Sequence, residues 1–434
     1  MPQRTRGDHV NWFLATVLTG LTFLRMTPTS AVAADWPQWQ GPDRTNISRE
    51  TGLLKSWPKG GPALVWKVKG LGGGYSTPSI VGGRIFGMSY RGDDEVVWAL
   101  DAKTAKELWS TRIAKATRVQ YGEGSRATPT VDGDVLYTLG VAGDLVCLEV
   151  ATGKERWHRY LEKDFGGNRP GWGYSESPLV DGSKVVCTPG GARGAVVALD
   201  KKTGEIVWQC QEFKDGAAYA SLVVAEVNGV RQYVQMTHQS VSGVAANDGR
   251  LLWRFPRNGP TAAVPTPVVQ GNLVHATSGY GAGCHLIQVV PSGGGLKPEQ
   301  VYADHNMTNH HGGVVLVGDY IYGFSDSKGW VCQHFKTGEM VWNDKGKLGK
   351  GSITYADGNF YCRTEGSGTV ALVEATPSEY VEKGRFDQPD RSPQNAWPHP
   401  VVSGGRLYLR DQDVLLCYNV KDDAGDTKAA GAAR

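Results

Sequence analysis

Eight times between Thr77 and Val420 the chain repeats one phrase: a short apolar strand after a Pro or small residue, a Gly or Asp turn, then further strands that close on an aromatic residue. Alternation along a strand sends every second side chain to one face, so each unit is a small sheet with two faces to cover. Alone, a unit would leave both faces wet. A chain of eight buries them only by packing unit against unit.

The closing residues set the period. Asp101 stands with Thr104 and Trp109, Glu149 with Thr152, Gly153 and Trp157, and Asp200 with Thr203, Gly204 and Trp208; in each copy the Trp follows the acid by eight residues. His334, Thr337, Gly338 and Trp342 keep that spacing with the acid replaced, whereas Asn247, Asp248, Gly249 and Trp253 keep the turn but lose two residues. Trp109, Trp157, Trp208, Trp253 and Trp342 lie 48, 51, 45 and 89 residues apart, so one further unit is hidden before Trp342. Its first strand falls within residues 265–274 and Tyr302 takes the Trp place; a later unit, 351–386, puts Phe386 there. About 45 residues per unit suits one four-stranded blade. The pattern predicts an all-β, eight-bladed β-propeller of four-stranded blades.

First strands are expected from Thr77, Thr128, Ser177, Ser221, Thr266, Gly312, Ser352 and Pro400. The last unit, 401–420, has only three strands. Its missing outer strand is expected from the other end of the chain, residues 63–69 with Trp66 in the Trp role, which closes the ring and leaves no open edge. Trp66, Trp109, Trp157, Trp208, Trp253 and Trp342 then read as core residues that fill the gaps between blades, each burial worth about 2–3 kcal/mol.

Composition narrows the partners. Against 46 Lys and Arg stand 43 Asp and Glu, with no basic run or stripe, so nucleic acid is not an expected partner. Arg4 and Arg6, an apolar stretch over 12–24 and small residues before Asp35 read as a cleaved secretory signal. The expected division is a signal peptide over 1–34, an N-terminal extension over 35–62, the propeller over 63–420 and a disordered tail over 421–434. An exported, periplasmic or secreted monomer with no membrane span after cleavage is expected. Of the seven Cys, Cys147, Cys332 and Cys417 share one register position and Cys187 and Cys362 another, as small buried fillers on separate blades. Cys210 and Cys284 lie outside that register, and their pairing is left open.

In a propeller the innermost strands begin at one mouth of the axial channel, so the residues just before them line a shared surface. Those positions hold Tyr75 and Ser76, Arg126, Trp172, Tyr174 and Glu176, Tyr219, Thr261, Asn309 with His310 and His311, Lys350, and Trp397 with His399. Such a collar suits an anionic or planar ligand, with rings to stack and Arg126 and Lys350 to neutralise charge. Glu176 is its one carboxylate and the only candidate for a base or a calcium ligand. No metal site is expected: His305 and His310 are the weak candidates, and neighbours such as His310 and His311 on a strand would face opposite ways. Hairpin acids such as Asp411 read as solvated turns. A nucleophile elbow, a P-loop and a haem-attachment motif are all missing from the sequence.

The Ala-x-Asp-x-x-Thr-Gly-x-x-x-Trp pattern, nearly whole in residues 198–208 and with Cys for Ala in 147–157, resembles the pyrroloquinoline quinone repeat. That resemblance covers most of the chain after residue 34 and implies an eight-bladed propeller with tryptophan docking motifs. It points two ways. Quinoprotein dehydrogenases hold the quinone and Ca²⁺ on the axis and use an Asp base; scaffold members, such as the propeller subunit of the outer-membrane β-barrel assembly machinery, bind no quinone. The sequence departs from the enzymes in lacking an adjacent Cys pair and any position matching their Asp and Ca²⁺ ligands, and from the assembly subunit in lacking a lipid-bearing Cys. Its start over 36–42, Trp-Pro-Gln-Trp-Gln-Gly-Pro, looks like that of exported bacterial propellers.

The leading expectation is a non-catalytic envelope scaffold without a cofactor that binds a protein or polymer through exposed aromatics such as Trp172 and Trp397. A quinone-dependent alcohol or polyvinyl-alcohol dehydrogenase, with Arg126 and Lys350 on the quinone and Trp172 or Trp397 stacked on its ring, is the first alternative. A glycan-binding module is the second.

Overall fold

A computed structural model describes residues 35–121, 124–259 and 261–422. The expected signal peptide and residues 423–434 lie outside the described residues. The described residues form eight sheets, one per repeat, each built on four antiparallel strands, in chain order from the innermost outward in the first seven. Innermost strands run Ser79–Val81, Thr130–Asp132, Leu179–Asp181, Val223–Val227, Val268–Gln270, Val314–Val317, Gly351–Ala356 and Val401–Ser403, close to the expected starts. We number the blades 1 to 8 in that order. The outer strand of blade 8 is Ala63–Val68, paired antiparallel with Val414–Asn419. Ring closure from the opposite end of the chain is therefore correct.

Neighbouring blades are joined through the residues that set the repeat. The indole N–H of Trp66 donates to the Ala102 carbonyl at 3.1 Å, Trp109 to Val150 at 3.0 Å, Trp157 to Lys201 at 3.0 Å and Trp342 to Thr376 at 3.0 Å, each on the next blade. Tyr302, in the Trp place of blade 5, reaches the Phe335 carbonyl of blade 6 with its hydroxyl at 2.9 Å. Trp253 instead bonds Gln232 of its own blade. The Thr-Gly turn serves the same joint: at Gly153 (φ +72) the left-handed turn excludes a Cβ, and one built there would run into the Trp109 indole.

Residues 36–48, expected only as an extension, occupy the axial channel. Trp36 exchanges two 2.8 Å backbone hydrogen bonds with Ile80 of blade 1, and the Val131 N–H of blade 2 donates to Pro37. The chain reverses at Gln40, Arg44 and Asn46, all with positive φ, and Ile47–Ser48 leaves as a fifth strand parallel to Tyr355–Ala356 of blade 7. Arg44 is buried. Its guanidinium donates to the carbonyls of Leu222 (2.9 Å), Ser177 (3.0 Å) and Pro178 and to Gln38. Asn46 bonds Ile353 at 2.6 Å and Ser48 bonds Val402 at 2.8 Å. One segment thus ties the inner strands of nearly the whole ring. Beside it the channel keeps a cavity of about 140 Å³, bounded by Ile47, Arg44 and Val268 among others.

The ends meet on the face opposite the mouth. Leu53 bridges Lys421 and the Asp422 N–H donates to Gly52, so the first two residues of the expected tail are paired rather than disordered. All seven Cys are buried and free, including Cys210 and Cys284, which do not pair. Among the described residues no helix is long and apolar enough to cross a membrane.

Candidate functional site

At the mouth of the channel the loops that enter the innermost strands converge on a funnel of about 260 Å³. The collar expected from sequence supplies Tyr75, Arg126, Trp172, Tyr219, His310, His311, Lys350, Trp397 and His399. The turns between second and third strands reach the same end and add Tyr280 and Glu365, while Tyr121, Ser175 and Asn395 come from the entering loops. From below, Trp39 of the channel segment completes the lining; its indole N–H is fixed to Thr266 at 2.8 Å.

Rings run around this mouth in an unbroken arc. Trp172 stacks on Tyr219 at 5.2 Å and meets Tyr121 edge-on at 6.1 Å; Tyr121 meets Trp397 at 6.0 Å, and Trp397 lies 5.5 Å from His311. His311 then contacts His310 at 5.0 Å, and His310 contacts Tyr280 at 4.8 Å. Behind the arc Tyr75 packs on Trp397 at 4.5 Å with the Arg126 guanidinium over its ring at 5.3 Å. Offset and edge-on contacts of this kind favour aromatic pairs and hold the rings in place.

The charged groups of the wall are held by partners within the protein. Glu365 accepts from the His311 imidazole and, at 2.8 Å, from the Trp397 indole. Burial would raise its pKa, but these donors and Lys350 outweigh it and hold the carboxyl near 2. Lys350 pairs with Asp326 at 2.7 Å and donates to His310 Nδ1 at 2.8 Å. Burial, helped by His311 and Lys350, pushes His310 down to about 4, so it accepts as a neutral ring. His399 is also driven to about 4 by burial; Asn46 donates to its Nδ1 at 3.0 Å, leaving Nε2–H to donate to the His311 carbonyl at 3.1 Å.

Five residues expected in the collar do not line the funnel: Ser76 is buried and accepts from the Met88 N–H at 3.3 Å, Thr261 is exposed outside it, and three more are spent elsewhere. Tyr174 is buried beneath the mouth with its hydroxyl on the Pro189 carbonyl at 3.0 Å, and Asn309 is spent on Gly313 and Phe324 of its own blade. Glu176 is buried inside blade 3, where it accepts from Thr188 and Gln235 and faces Arg44. Burial lifts its pKa to about 7, yet it has no access to the funnel and is no base for a ligand there. Each of these three lies in the loop that enters its blade, with its side chain buried. His310 and His311, expected on opposite faces of a strand, lie in a loop and both line the funnel. His305 does not join them: among the described residues no three His, Cys, Asp or Glu gather as metal ligands. Asp411, expected in a solvated turn, is buried under Arg391 and Ser392.

Fold and repeat together find their match in one family. Residues 43–169 and 114–344 match the family described as outer membrane protein assembly factor BamB. The chain belongs to this family. Among curated proteins it is 23% identical over 244 residues to the BamB of Moranella endobia, covering 54% of this chain and 57% of that one. It is 29% identical over 197 residues to the quinohemoprotein alcohol dehydrogenase of Comamonas testosteroni (42% and 26%), and 29% identical over 173 residues to the serine/threonine-protein kinase AfsK of Streptomyces griseus (38% and 20%). The chain thus spans about half the length of the first of these, about a quarter of the second and a fifth of the third. The solved structure of BamB from Moraxella catarrhalis shares its fold, with a TM-score of 0.59 at 15% identity over 82% of this chain and 97% of that one.

Calcium takes six to eight oxygens. Among the described lining residues the one carboxylate, Glu365, is already held by two donors, and Glu176 is sealed inside the blade packing.

Proposed function

We propose that this BamB-family propeller is a non-catalytic binding scaffold of the cell envelope that holds a protein or polymer ligand in its funnel. One observation carries the reading: the mouth is walled by a fixed arc of aromatic rings, and Glu365, the one carboxylate among the described lining residues, is consumed by His311 and Trp397. Such a wall offers contact area and orientation, with Glu365 tied to neighbouring side chains. Export agrees with the sequence before Asp35, and assembly of outer-membrane proteins is what the matched family's description points to. The test is capture from envelope extract. The protein should retain a partner that Trp172→Ala and Trp397→Ala both lose; retention by neither form, or equally by all, contradicts the proposal.

A second reading, a quinone-dependent alcohol dehydrogenase, is favoured by stacked rings beside Arg126 and Lys350 and by the Comamonas relative. Titration with pyrroloquinoline quinone and Ca²⁺ separates the two. A ligand at 100 times its Kd stabilises by about 2.7 kcal/mol, so saturable binding would raise the thermal midpoint visibly and favour the dehydrogenase.

A further inference from the structure

The funnel is blind. Residues 36–48 cross beneath it, and Trp39 packed on His399 at 4.6 Å makes its floor. A polymer entering at the mouth meets that floor, so the occupant is a chain end or a side group. The volume of about 260 Å³ falls just under the ~300–1,000 Å³ of ordinary small-molecule pockets and suits one ring-sized unit.

The wall also selects by charge. Glu365, Lys350 and Arg126 are each held by partners within the protein, Arg126 by the Gln120 and Tyr121 carbonyls, so an ionised ligand group would have to displace those contacts whereas a neutral one would not. What the lining presents is flat ring faces together with the small polar groups of Ser175, Ser221 and Asn395. Across the ring from each other, Tyr121 and Tyr280 stand at the rim 49% and 58% exposed. Both have left-handed backbone, with φ of +55° and +54°. Bulky residues are outliers there, and such strain collects where a side chain is held out for a ligand.

We propose that the funnel binds the terminal sugar of a neutral glycan, with the C–H face of the pyranose on the Trp397 and Trp172 rings and its hydroxyls toward Asn395 and Ser175. A sugar ring has one apolar face and an equatorial rim of hydroxyls, the complement of an aromatic face set beside small polar groups. This rests on the reading of the mouth as a binding surface and names what that surface takes.

The test is a printed array of neutral and acidic glycans, followed by calorimetry of the purified protein with the oligosaccharide that binds most tightly. A neutral glycan should bind saturably, change the tryptophan fluorescence and hold its affinity as salt is raised from about 50 mM to about 500 mM. Tyr280→Ala, at an exposed position outside the core, should weaken binding about tenfold, and Trp397→Ala should weaken it further. Failure of every neutral glycan to bind, salt-sensitive binding of acidic glycans alone, or unchanged affinity in both variants would overturn the proposal. Capture of an envelope protein by a chain that binds no neutral glycan would overturn it and leave the scaffold reading standing. If neither is bound, both readings fail.

Discussion

The indole of Trp39 lies 4.6 Å from the imidazole of His399, centroid to centroid, and this contact joins the segment in the channel to the loop that enters the last blade. Asn46 of the same segment donates to His399 Nδ1, and His399 passes a hydrogen bond on to the His311 carbonyl at the mouth. The floor of the funnel is therefore built by residues that are also fastened to blades 5, 7 and 8. Folding the channel segment and shaping the site are one event.

Arg44 is the hub of that segment. Its guanidinium satisfies three backbone carbonyls at the start of blades 3 and 4. Arg44→Ala leaves these acceptors buried and unmet, and should cost about 3 kcal/mol in denaturant unfolding. Arg44→Lys, lacking the fork, should recover only part of the loss.

Gly153 and Gly133 separate strain from packing. Both have positive φ, +72° and +61°, but a Cβ on Gly133 meets open space while one on Gly153 strikes Trp109. Gly133→Ala should cost about 1 kcal/mol, the left-handed penalty alone. Gly153→Ala should cost at least twice that, and thermal unfolding of the pair checks the difference.

Tyr302 takes the place that indoles hold in other blades and crosses the joint with its hydroxyl. Tyr302→Phe removes one buried hydrogen bond and leaves the Phe335 carbonyl unmet, so a loss of about 1 kcal/mol is expected by the same measurement.

The buried acids and histidines act on stability in opposite directions with pH. Glu95 is pushed to about 7 by burial, against its bonds from Ser125 and Val141. A raised folded pKa gives stability that is complete below the unfolded value, near 4.3, and is lost as pH rises through 7. His399, depressed to about 4, gives stability complete above about 6.5 and lost as pH falls through 4. Whatever Glu95→Gln costs at about pH 5, its gap from the parent midpoint should close by about pH 8. A gap that stays constant across calorimetric scans would contradict the assignment.

Much of the architecture was legible because a repeat states the same constraint eight times. The acid, Thr-Gly and Trp spacing located blades 1 to 3 directly and its period the others, and the three-strand last unit required Ala63–Val68 to close it. The channel segment was not legible. Residues 36–48 have no period, and their contacts reach up to 354 positions away, as between Ser48 and Val402. Of the site, the entering loops were readable, whereas Glu365 and Tyr280 sit on second-to-third-strand turns that end at the same mouth. That signal lay in the strand direction, which alternates along each blade. Position alone puts Glu176 and Tyr174 in the collar, and no strand period fixes which way these loop side chains turn.

The most direct measurement is photo-crosslinking in envelope extract from benzoylphenylalanine at Tyr280, on the funnel rim, and at Val207, equally exposed on the outer strand of blade 3. The account predicts a discrete adduct with protein or glycan from position 280 that the Trp172→Ala and Trp397→Ala changes abolish, and none from 207. Adducts from 207 alone, or from both positions alike, would contradict a binding site at the mouth.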